Sequence, residues 1–63
     1  MVTLQLRDQE FQVRPGMALI DALKKIGILP ESVLATRAGQ LITEDELLLD
    51  GQVIKLISVI SGG

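Results

Sequence analysis

The chain contains no histidine, no cysteine, no tryptophan and no tyrosine, and only one phenylalanine. Each absence removes a kind of chemistry. Histidine is the usual general base near neutral pH, and together with cysteine it supplies most transition-metal ligation. Without either, Ser/His/Asp and Cys/His nucleophilic sites, zinc sites and haem ligation through these residues are excluded. No disulfide can form, so the usual staple of small secreted folds is missing too. Base stacking on single-stranded nucleic acid needs aromatic side chains. The six basic residues, Arg7, Arg14, Lys24, Lys25, Arg37 and Lys55, are scattered through a chain of net charge −2, so there is no phosphate-binding stripe either. No apolar run approaches the roughly 18 residues needed to span a bilayer. The N-terminus has no basic region followed by a long apolar core and a small-residue cleavage site. The expectation is a cytoplasmic protein that meets neither membrane nor nucleic acid directly and binds no cofactor or metal of its own.

What remains is a short, apolar chain. With 63 residues, 48% of them hydrophobic, and a mean hydropathy of +0.43, it is long enough for one domain and too apolar for a disordered segment. A domain of this size buries only about 60% of its unfolded surface. There is no material to spare for a large ligand cavity.

Val2-Thr3-Leu4-Gln5-Leu6-Arg7 alternates apolar and polar residues, the pattern of a half-buried strand. Asp8-Gln9-Glu10 reads as a turn, and Phe11 and Val13 resume the alternation, so the two runs predict a β-hairpin. Pro15-Gly16 suits a type II turn, with the positive φ at the glycine. From Ala18 to Ile26 the period changes to that of a helix. Leu19, Ala22, Leu23 and Ile26 share one face, with Asp21, Lys24 and Lys25 opposite. Gly27 sits where a left-handed residue closes a helix, Ile28 can fold back on Leu23, and Pro30 prevents continuation.

Val33–Arg37 predicts a third strand. An outward Arg37 would turn Leu34 and Thr36 inward, although the parity is ambiguous. Ala38-Gly39-Gln40 turns the chain into a short fourth strand at Leu41-Ile42. Thr43-Glu44-Asp45-Glu46 matches a capping box ahead of a single helical turn, and Asp50-Gly51 is a turn signal. Val53 to Ile60 is the most apolar segment and rich in β-branched residues, which predicts a strand. Its apolar residues on both parities suggest a central strand covered on both faces. The expected class is α+β: a β-grasp domain over residues 1–60, with a mixed sheet of four to five strands on one amphipathic helix. Residues 61–63 are expected to form a flexible tail ending in Gly-Gly.

Two candidate sites read most simply as structure. The acidic cluster Glu44, Asp45, Glu46 and Asp50 lacks the alternating ligand spacing of a calcium loop, and reads as capping plus a solvated surface. A carboxylate pair for acid/base catalysis needs a cleft with unequal environments, and no acidic residue falls on a predicted apolar face.

Two other features point to function. If Ile54 and Leu56 face the helix, then Val53, Ile57 and Val59 face away, with no element left to cover them. Contiguous exposed apolar surface commonly marks a partner site. The apolar strand then runs into Ser61-Gly62-Gly63. Two glycines at that place arise by chance in about one chain in 200. Glycine lacks Cβ, so such an end can enter a narrow site in conformations other residues disfavour.

With that order of elements, Asp50-Gly51 before the last strand, and Gly62-Gly63 at the end, the chain resembles the ubiquitin-like sulfur carriers of the ThiS/MoaD family. The resemblance covers its whole length. The short length is similar to the thiamine-type carrier, and Ile57-Ser58-Val59-Ile60-Ser61-Gly62-Gly63 also resembles the carriers of tRNA 2-thiolation. The resemblance implies a carrier that is itself no enzyme. The Gly63 carboxylate would be adenylated by an E1-like adenylyltransferase using ATP, and converted to a thiocarboxylate by a cysteine desulfurase or rhodanese-type donor. An acceptor such as thiazole synthase or a tRNA thiolase would take the sulfur. Ser61 and Gly62 would thread the tail, Val53, Ile57 and Val59 would dock partners, and Ile60 would anchor the base of the tail. The molybdopterin synthase small subunit, and a ubiquitin-like modifier joined to lysines, are the alternatives within the same resemblance.

Overall fold

The alternation at the start of the chain produces the first two strands, β1 (Val2–Leu6) and β2 (Gln9–Val13), in a computed structural model that describes residues 1–59. They pair antiparallel from Val2 against Val13 to Leu6 against Gln9, so the turn is only Arg7-Asp8. The expected Asp8-Gln9-Glu10 turn is thus corrected: Gln9 and Glu10 already belong to β2. Two-residue loops match the right-handed twist of the flanking strands, and here that match places Arg7 in the left-handed region at φ 57°. Pro15 and Gly16 make the next turn, with Gly16 at φ 91° as expected.

The helix, α1 (Leu19–Lys25), buries Leu19, Ala22 and Leu23 and exposes Asp21, Lys24 and Lys25. Its C-terminus closes as the sequence predicts. The Ile28 N–H donates to the Leu23 carbonyl at 2.9 Å and the Gly27 N–H to the Lys24 carbonyl at 3.1 Å, with Gly27 at φ 81°. That pair of bonds is a Schellman motif. Pro30–Ser32 forms a short 3₁₀ turn, not evident in the sequence, that leads into β3 (Val33–Arg37).

At the N-terminus of α1 no side chain caps the first turn, and Ala18 occupies the cap position. The free donors are met from a distance. The N–H groups of Leu19 and Ile20 donate to the carbonyls of Glu46 and Glu44 at 2.9 and 2.8 Å. This corrects the capping-box reading. Thr43 donates its hydroxyl to the Asp45 carboxylate, and no helical turn follows. The peptide groups of 44–48 are instead engaged by the segment that starts α1: Ala18 bridges Leu47, the Leu48 N–H donates to Met17, and Gly16 donates to Leu48. A local helix would have to break those bonds.

β3 and β4 (Gln40–Ile42) form a second hairpin through Ala38 and Gly39, both at positive φ, as a type I′ turn requires. β5 (Val53–Ser58) pairs parallel to β1 and antiparallel to β3, giving a mixed sheet of five strands in the order β2-β1-β5-β3-β4. The β-grasp fold is therefore present, with the most apolar strand at its centre. Its core is one layer between helix and sheet: Val2, Leu4, Val13, Val33, Ala35, Ile54 and Leu56 from strands, Leu19, Ala22 and Leu23 from α1, and Leu48 from the loop.

Two expectations about faces are overturned. β5 is covered on one side only: Ile54 and Leu56 are buried while Val53, Lys55 and Ile57 are exposed. In β3 the buried residues are Val33 and Ala35, so Leu34 and Thr36 point away from α1 and Arg37 lies on the α1 side. There Arg37 approaches Glu46 at 3.5 Å. Registry decides this parity: Leu34 is paired with Ile57 and Ala35 with Leu56, so each residue of β3 shares the face of its partner on β5.

Leu48 was given no core role by local pattern, yet it is fully buried, at 0% exposure, between exposed Leu47 and Leu49. Replacing it with alanine should destabilise the domain by about 2–5 kcal/mol, whereas Leu47→Ala should cost about 0.5 kcal/mol or less. Urea titrations of the two variants measure the contrast.

Candidate functional site

The chemistry-bearing groups of this chain are few, and the described residues locate what surrounds them. Among those residues no cluster of three or more acidic side chains is placed to hold a metal ion. The acidic residues near the β4–β5 loop are engaged separately. Asp45 accepts from Thr43, Glu46 lies against Arg37, and Asp50 receives the N-terminal ammonium. The hydrogen bond and charge of that ammonium hold the Asp50 carboxyl below the usual carboxylate range. These contacts lie at the surface and form no cleft with paired acid and base. No helix is long and apolar enough to cross a membrane, among the described residues.

The sheet face opposite α1 carries the feature the sequence pointed to. Val53 and Ile57 are 50% and 44% exposed on the parity of β5 that faces away from the helix, and Val59, 37% exposed, follows the strand's end beside a hollow that Leu19, Leu23 and Val33 also line. The Val59 N–H donates to the Ser32 carbonyl at 2.9 Å, which carries the β3–β5 pairing one residue past the strand's end. β3 and β4 add to this surface two residues that sequence reasoning missed, Leu34 and Leu41, 45% and 67% exposed. Leu34 lies opposite Ile57, and Leu41 lies opposite Thr36. The signal that could have found Leu34 is its odd spacing from Val33 and Ala35: only one of the two parities brings the small Ala35 into the crowded layer under the helix.

The open face has two halves. On the β5-β3-β4 side it is apolar, with Lys55 set among Val53, Ile57 and Thr36 around a hollow that Gln5 closes. On the β1-β2 side it is polar, where Gln12 Nε2 donates to Thr3 Oγ1 at 2.9 Å and Gln5 Nε2 to Glu10 Oε2 at 3.2 Å. These side-chain bonds satisfy the polar half within itself, while the apolar half has no intramolecular cover among the described residues. At the end of β5, Ser58 borders a groove lined by Leu6, Arg7, Gly27, Leu29, Ser32 and Val33. Ile60, Ser61, Gly62 and Gly63, named above for tail anchoring, threading and sulfur attachment, lie outside the described residues.

A five-stranded mixed sheet clasping one helix defines a ubiquitin-like β-grasp protein. No protein-family model matches the chain. It is 32% identical over 63 residues to the sulfur carrier protein TtuB of Thermus thermophilus, in an alignment covering 98% of this chain and 97% of that protein. The chain belongs to the ubiquitin-like sulfur carriers of the ThiS/MoaD family.

The outward placement of Leu34 is checked by truncation. Leu34→Ala should cost about 1 kcal/mol or less, where an inward leucine would cost about 2–5 kcal/mol. Chemical denaturation distinguishes these values.

Proposed function

We propose that this carrier holds sulfur as a thiocarboxylate on Gly63 and delivers it to an acceptor enzyme in thiamine thiazole formation or tRNA thiolation. The observation that carries the proposal is the 32% identity to a sulfur carrier across nearly the whole chain, in a sequence that has no cysteine to hold sulfur any other way. A carboxylate is a poor electrophile because its charge is shared by two oxygens. An E1-like enzyme would let a Gly63 oxygen attack the α-phosphorus of ATP, releasing pyrophosphate and leaving an acyl-adenylate. The terminal sulfur of a donor's persulfide, from a cysteine desulfurase or a rhodanese-type protein, would displace AMP. A partner thiol would then cleave the S–S bond and leave the thiocarboxylate. All of the thiols, and the ATP site, belong to partners.

The chain's own contribution is placement. Ser61 and Gly62 let the end enter a narrow active site, where a Cβ on Gly62 would obstruct passage. Val53, Ile57 and Val59, joined by Leu34, form the surface that partners would bury, and Ile60 would fix the root of the tail. Such a surface gives affinity through desolvation, while Lys55 at its centre selects a partner presenting an oxygen acceptor there.

Intact-mass measurement after incubation with the E1-like enzyme, ATP and a sulfur donor should show one carboxylate oxygen replaced by sulfur. Adducts on lysines of other proteins would instead assign the modifier role. Adding one residue after Gly63 should abolish the change, and persistence of sulfur loading in that variant refutes the assignment of Gly63. Deletion followed by assays of thiazole and of 2-thiolated tRNA separates the two acceptors.

Docking has a separate readout. Ile57→Asp should weaken binding to the E1-like partner at least about tenfold, the equivalent of about 1.4 kcal/mol, while unfolding remains cooperative. Unchanged affinity would remove Ile57 from the docking surface.

A further inference from the structure

Among the described residues the sheet has two free edges, and they differ. β4 is three residues long, short enough to offer little to a passing strand. β2 is five residues long and carries neither lysine nor proline between Gln9 and Arg14. Proteins usually blunt such an edge, because its unpaired peptide groups invite another strand.

Which peptide groups face outward follows from the pairing. The Thr3 N–H donates to Gln52 at 3.0 Å, toward the β5 side of β1. The alternation of strand peptide groups then turns Val2, Leu4 and Leu6 toward β2, where they meet Val13, Phe11 and Gln9. Gln12 and Glu10, opposite Thr3 and Gln5, are left with their N–H and C=O groups on the free edge. Arg14, next in that alternation, precedes Pro15, which favours extended backbone.

We propose that the β2 edge pairs antiparallel with the β2 edge of a second copy of this chain, about a two-fold axis at Gln12. In that register Gln12 lies opposite Gln12, and Glu10 of each copy lies opposite Arg14 of the other. The residues whose peptide groups face outward are then the ones that pair. The exposed charges are complementary in the same register: Glu10 and Arg14 share the open face and are both solvent-exposed. Opposite charges placed directly across strands favour pairing, and like charges oppose it. Phe11, half-buried in the monomer, comes beside Val13 of the second copy on the α1 side. An isologous contact of this kind joins two sheets into one, with both open faces on the same side. The apolar β5-β3-β4 halves stay uncovered at either end, because β1 separates β2 from β5. The pairing does not depend on Gly63 or on the carrier reading.

Charge reversal tests the register. Sedimentation equilibrium of the full chain, at concentrations up to about 1 mM, should show a monomer–dimer equilibrium. Glu10→Arg sets two positive charges opposite one another at each cross-strand pair, and Arg14→Glu sets two negative ones. Each should weaken association about tenfold. An equimolar mixture of the two variants, and the double variant, should restore it, since each recreates opposite charges across the axis. Both positions are exposed, and far-ultraviolet circular dichroism checks that the fold is kept. A wild-type chain that stays monomeric throughout overturns the proposal. So does association unaffected by either reversal, and so does a dimer that Ile57→Asp abolishes, which would place the contact on the open face instead.

Discussion

A helix of seven residues set against a sheet of five strands imposes the constraint on which this protein depends. One short helix covers one side of such a sheet, so each strand has a buried parity and a solvent parity. Val2 and Leu4, Val13, Ala35, and Ile54 and Leu56 all meet Leu19, Ala22 and Leu23 on the covered side. The hydrophobic layer formed there is the fold's principal source of stability. It also leaves the opposite side of the central strand without a partner among the described residues. The docking surface proposed for Val53 and Ile57 follows from the same geometry that makes the core.

The helix in turn depends on a loop with no regular structure. Leu48 seals the core from below, and the carbonyls of Glu44 and Glu46 take the free donors of the first helical turn. These bonds do the work that a serine or aspartate cap does elsewhere. The loop is therefore a structural member, held by backbone bonds to the start of α1 and by the buried Leu48 side chain. Its acidic residues are spread over separate surface contacts, which agrees with their poor match to a cation-binding pattern.

Membership of the sulfur-carrier family is compatible with the composition. A carrier needs a stable body, a surface for partners and an end that can be modified. Thiols and nucleotide sites can belong to the enzymes it visits. In that light the missing cysteine and histidine are consistent with the role, since a reactive side chain on the carrier would compete with the group it carries. The polar and apolar halves of the open face add a division along the sheet: the β5 side is suited to burial and the β2 side to polar edge contacts.

Elements whose folding is local were legible in the sequence. Strict alternation set β1 and the end of β2, the 3.6-residue period set α1, and Gly27 with Ile28 set its Schellman closure, because each pattern is satisfied within a few residues. The last strand's central position followed from its apolar content, and the Gly-Gly end with the element order led to the carrier family. Only the tertiary structure decided the rest. Val33-Leu34-Ala35 has apolar residues on both parities, and its pairing with β5 chose which face Leu34 takes. Leu47, Leu48 and Leu49 are chemically identical, and bonds to Met17 and Gly16 selected the one that is buried. Thr43-Glu44-Asp45-Glu46 satisfies the local rule for a helix start, yet its carbonyls are used by another helix. In each case the choice rests on partners distant along the chain, and no local pattern can encode it.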